Sequence, residues 1–573
     1  MAGPNASPQP SADGGSAPTE RPLGISSSFV YAVTFFTQLV GYISSFFIAR
    51  HIAAPGAGLA LVGFVQFNLL LASSINTLGE LRIGSAFVYY IARDSSSKWY
   101  AGTYFTSRII FVSIFGLALL LIAPHISIVS MTGGLTVPSS ALYLCLAVFM
   151  LLPLLWTPGV VYSQLFVGLG NSIRGQLPTL VESVVRTTAL VAVALTFPTV
   201  AGAVNSHAIW GLTGAYVLGA VASSAIAVPV VWRHFARPKL KEFRFLLSYS
   251  WPLLGSMGLL YLVTNAMPLL TRAFYDTAAV AIFNAANGFR VLLLALPTAV
   301  IVPLFPHLAG LHERKELELL RDRIWRALRY TGMMVVPGAT LFVVYRVNLL
   351  LILYQKSYLG PLPGAGGGAI PLAILAVSAI PLALSQIIGT ALNSIGLQRM
   401  EFYLTSLQVV VLFAGVFGFL RAGGIFGFTG LAAIAFAALL SSIAALALNS
   451  YFLYTNMKVP FRWRPLWTIP LAAVAEFLVM SRLNSLGGPQ SALSVFFEVN
   501  RWYELLGIGT VALAVYVGVL IALGELSRQD VRIYAAALGI PERWANRFAK
   551  ICWREISDPV PDSVNSSSQR PKS

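Results

Sequence analysis

Charge is scarce in this chain. Asp, Glu, Lys and Arg make up only 10% of its 573 residues, while 57% are hydrophobic and the mean hydropathy is +0.76. A soluble protein of this length needs far more charge to cover its surface, so that class is excluded. The only cysteines are Cys145, in an apolar block, and Cys552, in a basic tail. Neither a disulfide nor a thiolate metal site is indicated. No glycine-rich nucleotide loop occurs, which argues against an ATP-driven pump within the chain, and no cofactor is expected. The formal charge of +17 reads as Lys and Arg gathered on one membrane face, with no nucleic-acid partner.

What the chain does have is long apolar blocks at the length a bilayer demands, about 20 residues per crossing. They predict an all-α integral membrane protein with fourteen spans, at about 24–49, 58–78, 100–123, 140–168, 177–199, 208–232, 246–271, 278–304, 328–353, 369–393, 402–420, 426–454, 465–483 and 503–524. The connections after even-numbered spans hold eighteen Lys or Arg, and those after odd-numbered spans hold six. Basic loops stay cytoplasmic, so both termini are expected inside a cell membrane. Residues 1–23, rich in Pro, Ser, Gly and Ala, read as a disordered cytoplasmic tail, and 525–573 as a basic cytoplasmic tail. A cleaved signal peptide is not expected, because the first apolar block is too long and no basic segment precedes it. The outer connections are too short to fold into a catalytic domain. The segment 307–327 places Leu311, Leu317, Leu320, Ile324 and Leu328 at near-helical spacing among charges, which predicts an amphipathic helix on the inner surface.

The sequence also repeats itself. Ser163-Gln164 recurs as Ser385-Gln386, Asn171-Ser172-Ile173 as Asn393-Ser394-Ile395, Gly211-Leu212-Thr213-Gly214 as Gly427-Phe428-Thr429-Gly430, and Ser223-Ser224 as Ser441-Ser442. The repeat maps span 5 onto span 11. A shift of six spans, an even number, leaves both copies facing the same way. Two six-helix lobes, 24–233 and 244–454, are therefore expected in a parallel pseudo-two-fold arrangement, with two additional spans at 465–524.

Several stretches carry a family resemblance. They are Ala49-Arg50-His51-Ile52-Ala53 with Gly58-Leu59, Leu78-Gly79 through Tyr89-Tyr90-Ile91-Ala92-Arg93, Ala281-Ile282-Phe283-Asn284-Ala285-Ala286 through Arg290, and Pro306-His307-Leu308-Ala309. With the two Gly-rich repeats, they resemble the superfamily of multidrug, oligosaccharidyl-lipid and polysaccharide exporters, within it the polysaccharide flippase branch. The resemblance covers roughly 24–530. It implies a flippase, not an enzyme, that carries a polyprenyl-(di)phosphate-linked oligosaccharide from the inner to the outer leaflet by alternating access. Its partners would be that substrate, membrane lipid and glycan-assembly enzymes. The layout also resembles the flippase of peptidoglycan precursors, but residues 29–47 contain no charge, so a cationic site in span 1 does not carry over. The same superfamily includes cation-coupled multidrug exporters, whose cavities favour acid. A membrane-embedded glycosyltransferase or polymerase is a third reading, which would need acidic catalytic residues.

Charge inside a span is costly unless it meets water, a partner or a ligand. Arg290 falls about 18 Å into its span at 1.5 Å per residue, too deep to reach either surface easily, and its planar fork suits phosphate. It is the leading substrate-binding candidate. Glu182 and Arg186, four residues apart, suit an internal pair that could also line the cavity. Arg108, Gln164 and Gln386 complete the cavity candidates, and Glu476, about 16 Å into its span, is a candidate coupling group. The charge asymmetry makes a topological prediction: a reporter fused after Gly360 reads as external and one after Lys241 as cytoplasmic. The opposite location for either would overturn the orientation.

Overall fold

The computed structural model describes residues 23–53, 57–80, 83–93, 95–127, 139–169, 171–198, 206–354, 356–360, 362, 364–395, 397–458, 463–485 and 502–526. The two expected tails therefore lie almost wholly outside the described residues. Among those described, the structure is helical, and the only β pairing is two isolated bridges in loops. The helices are α1 (Leu23–His51), α2 (Ala57–Glu80), α3 (Ile83–Arg93), α4 (Ala101–Ser127), α5 (Ser139–Gly168), α6 (Ser172–Gly175), α7 (Leu177–Thr196), α8 (Ser206–Arg233) and α9 (Leu240–Phe274), followed by α10 (Thr277–Glu313), α11 (Leu317–Val344), α12 (Arg346–Leu353), α13 (Ala369–Ser394), α14 (Gln398–Arg421), α15 (Leu431–Met457), α16 (Trp463–Ser485) and α17 (Trp502–Ala522). Hydrocarbon offers backbone groups no water, and a helix satisfies them within itself.

A helix lies at each of the fourteen apolar stretches. Among the described residues, ten are long and apolar enough to cross a membrane by length and composition alone. The stretch 328–353 is broken at Tyr345, where α11 ends and α12 begins. Two connections differ from expectation. Residues 83–93 form α3, which buries Ile83, Ala86, Phe87 and Ile91 and packs on α5 and α9. Residues 307–327 are not a separate surface helix. α10 runs on to Glu313, the chain turns through Lys315 at φ 59°, and α11 starts at Leu317. Leu311, Leu320 and Ile324 are buried in a cluster with Ile387, Leu392, Leu453 and Met457. The apolar face seen in the sequence meets α13 and α15 instead of lipid.

Helices up to Arg233 pack mainly on one another, through α1 with α7, α7 with α8, α5 with α8 and α2 with α4 and α5. Those from Leu240 to Met457 do the same, through α10 and α11 with α13, and α13 and α14 with α15. α16 and α17 pair and lie against α11. Lipid tails are as apolar as leucine, so association rests on close approach and interhelical hydrogen bonds. The seam between the two groups shows both. α2 packs along α10, and Gly63 lets their backbones meet: a Cβ there would sit 1.7 Å from the Thr277 carbonyl oxygen. Beyond it, Arg50 Nη2 donates to the Ile352 carbonyl at 3.0 Å and Ser357 Oγ to the Ala53 carbonyl at 3.2 Å. The Tyr42 hydroxyl donates to the Gly288 carbonyl. Replacing Gly63 by Val is expected to abolish the monodisperse folded protein, whereas Gly214→Ala, with nothing within 4 Å of the added carbon, leaves it intact. Size-exclusion profiles of fluorescent fusions in detergent check both; a normal profile for the Val variant would contradict the close-packed seam.

Candidate functional site

Where the two groups of helices meet, a cavity of about 830 Å³ opens, within the size range of small-molecule sites. Its wall comes largely from the first group. α1 gives Tyr42 and Ser45, α2 gives Gln66, Ser73 and Asn76, α5 gives Trp156, Ser163 and Gln164, α7 gives Thr179, Glu182 and Arg186, and α8 gives Tyr216 and Ser223. The second group adds Asn265 from α9, Asn284 and Asn287 from α10, and Tyr354. On α2 the lining residues 66, 69, 70, 73 and 76 follow the three-and-four spacing of one helix face. Their polar members form a track along the cavity.

Glu182 and Arg186 are brought together as the sequence spacing suggested. Arg186 Nη1 donates to Glu182 Oε1 at 2.9 Å, and its guanidinium lies 5.7 Å from the Tyr216 ring centroid. Both residues line the cavity, as does Gln164. Asn284 Nδ2 donates to Gln66 Oε1 at 3.2 Å, joining α10 to α2 across the seam.

The remaining candidates sit elsewhere. Arg290 is not in the wall. It is 5% exposed and turned toward α9, with Nη1 3.6 Å from Met267 Sδ, while its neighbours Asn287 and Val291 face the cavity. Sequence gives the depth of a residue along a helix, but not its direction around it. Arg108 is also one layer back, buried between α2 and α4 and bonded to the cavity residue Asn76. Gln386 is exposed on α13 and outside the wall, although its repeat partner Gln164 lies in it. Glu476 is 1% exposed on α16, the helix that packs on α11 and α17, and it takes no part in the cavity wall. Of the uncharged amides, Asn68 proves fully buried, while Asn265, Asn284 and Asn287 line the space. Sequence reasoning missed the aromatic members Tyr42, Trp156 and Tyr216. Ser223 had a signal, since it belongs to the repeat.

The wall can thus present hydroxyls, amides and aromatic faces around one ion pair, with Gln66 and Asn284 already engaged with each other. The Glu182–Arg186 pair is partly exposed to the cavity, with side chains 19% and 26% accessible, so its stabilising contribution is at most about 0.5 kcal/mol. Replacing both charges together, Glu182→Gln with Arg186→Gln, should therefore lower the melting temperature of the purified protein by no more than a degree or two, whereas Arg186→Ala alone leaves the Glu182 carboxyl unmatched and costs more. A large drop in the double variant would mean the pair holds the fold together instead of furnishing the cavity.

Comparison with solved structures agrees with this architecture. The lipid II flippase MurJ, in an inward closed conformation, superposes with a TM-score of 0.63 at 14% identity, covering 86% of this chain and 99% of that one. An inward-facing multidrug resistance MATE family transporter of the MOP superfamily gives 0.56 at 15% identity, over 74% and 94%. A MOP superfamily transporter from Pyrococcus furiosus Vc1, described as having a binding pocket of reverse polarity, gives 0.53 at 14% identity, over 76% and 94%. At these identities the likeness is one of fold, and it is the fold of multi-pass membrane transporters. No curated protein matches by sequence. The polysaccharide biosynthesis protein family matches residues 25–312, half of the chain, and the chain belongs to that family.

Proposed function

We propose that the protein is a flippase that moves a polyprenyl-(di)phosphate-linked oligosaccharide from the inner to the outer leaflet by alternating access. The observation that carries this reading is the charge balance around the cavity. Arg186 is matched by Glu182 in the wall, and Arg108 has Glu80 at 3.8 Å. Arg290 has no acidic partner among the described residues. Its charge is uncompensated one layer behind Asn287 and Val291, and in a medium of low dielectric that field reaches the cavity. The space therefore favours an anion, and the amide and hydroxyl wall suits saccharide oxygens. A cation-coupled exporter of drug-like cations needs the opposite surplus.

In this reading, residues 24–233 and 244–454 are two lobes related by rotation about the membrane normal, and 465–524 supplies two further spans. The lobes close at the Arg50–Ile352 end, which faces outward. Fourteen crossings leave both termini cytoplasmic in the cell membrane. The substrate and surrounding lipid are the direct partners, and glycan-assembly enzymes supply and consume the substrate.

Because Arg290 acts through charge, Arg290→Met should lower saccharide delivery to the outer leaflet by tenfold or more, about 1.4 kcal/mol of lost stabilisation. Arg290→Lys, which keeps the charge, should retain most of it. The assay is delivery in a strain dependent on this protein, with membrane abundance measured in parallel. Normal delivery by Arg290→Met at normal abundance would overturn the anion reading.

A further inference from the structure

Arg108 is among the most deeply buried side chains of the protein, yet the cavity wall does not include it. It projects from α4 toward α2. Its Nη2 donates to the side-chain oxygen of Asn76 and lies 3.4 Å from the Asn76 carbonyl, and its Nη1 lies 3.8 Å from Glu80 Oε2. Asn76 is a wall residue. Asn76, Arg108 and Glu80 thus form one connected group behind the cavity wall, with Asn76 and Glu80 one turn apart on α2.

The chemistry of the pair fixes a direction. An arginine has five N–H donors and no acceptor, so it can face only the oxygen of an asparagine amide. With that oxygen held by Arg108, the Asn76 nitrogen is turned away from the guanidinium. Two other amide contacts in the wall join uncharged groups: Asn265 Nδ2 donates to the Tyr261 carbonyl of its own helix at 3.2 Å, and the second has no fixed direction. Gln66 and Asn284 bond to each other, and exchanging oxygen and nitrogen in both would preserve the bond. Asn76 is therefore the wall amide whose orientation is set from behind by a charge. We propose that Arg108 is a positioning residue: it holds Asn76 with its amide N–H groups toward the cavity, where they bind an oxygen acceptor of the substrate, either a phosphate oxygen or a saccharide oxygen. This rests on the flippase reading and deepens it. Glu80 balances the charge of Arg108 so that the guanidinium stays in place.

The test uses the full chain in nanodiscs, titrated with farnesyl diphosphate, which carries the phosphate oxygens, and separately with maltotriose, which carries the sugar oxygens. Wild-type protein should bind at least one, and the one it binds identifies the source of the acceptor. Asn76→Ala and Arg108→Met should each weaken that binding about tenfold, the worth of a hydrogen bond lost from a buried site. The double variant should bind no more weakly than Asn76→Ala alone, because Arg108 acts only through Asn76. Arg108→Lys, which still offers a donor to the amide oxygen, should stay within about threefold of wild type. Unchanged binding by Arg108→Met, or losses that multiply in the double variant, would overturn the proposal. Melting temperature tests the contact without any ligand: Asn76→Asp should raise it in the wild-type background and lower it beside Arg108→Met. The same effect in both backgrounds would overturn the contact. Wild-type protein that binds neither probe overturns the flippase reading and the acceptor role together, and the melting cycle still decides whether Arg108 orients Asn76.

Discussion

A polar group buried in hydrocarbon without a partner costs free energy on the order of several kcal/mol, and most of this structure can be read as a response to that cost. The backbone answers it by being helical. The side chains answer it by turning toward one another or toward the cavity. Three arginines near the cavity illustrate the range. Arg186 is paired within its own helix, Arg108 is held by an amide and a carboxylate from α2, and Arg290 is buried against the Met267 thioether. All three lie in or directly behind the wall of a single cavity. Arg186 lines it, Arg108 is bonded to its wall residue Asn76, and Arg290 lies one layer behind Asn287 and Val291.

The same constraint governs how helices hold together. Burying leucine against leucine gains little in lipid, so the seam depends on close backbone approach and directed bonds. Gly63 supplies the approach at Thr277. Arg50 and Ser357 supply bonds from side chains to carbonyls at chain breaks, where helix ends leave carbonyl groups unsatisfied. These contacts cluster toward one end of α1, α2 and α10, near Tyr354. The same seam carries an apolar core shared by both groups, in which Leu59 and Phe64 of α2 are buried in one cluster with Ile282 and Phe283 of α10, so the directed bonds add orientation to a packed contact.

Much of the fold was legible in the sequence because the lengths of apolar blocks report directly on crossing a bilayer. The cavity was less legible, for a physical reason. In a soluble protein the polar face of a helix faces water and the apolar face the core. In a membrane both faces are apolar, so the pattern along a span does not say which face looks inward. The depth of Arg290 could be counted, but its direction toward Met267 depends on α9. Glu182 and Arg186 were legible because an i,i+4 pair is local. Arg108 with Asn76 was not, since it depends on how α4 meets α2. The segment 307–327 showed its amphipathic pattern plainly, but the pattern could not say whether helices or lipid headgroups covered the apolar face.

The internal repeat shows how far one motif can diverge in use. Ser163 and Ser223 line the cavity in the first half. Their counterparts, Ser385 and Ser441, are buried in the second half, where Ser385 accepts a bond from Asn449 Nδ2 at 2.6 Å and Ser441 donates to the Gln408 carbonyl at 2.9 Å. Gln164 faces the cavity, and Gln386 is exposed outside it. The same hydroxyls therefore offer binding groups in one half and join helices in the other. A serine does either at little cost, because it is small enough to let helices pack and polar enough to bond wherever a partner appears. The repeated serines thus keep their places in the two halves while their surroundings differ, and the first half contributes Ser163 and Ser223 to a wall that the second half completes with Asn265, Asn284 and Asn287.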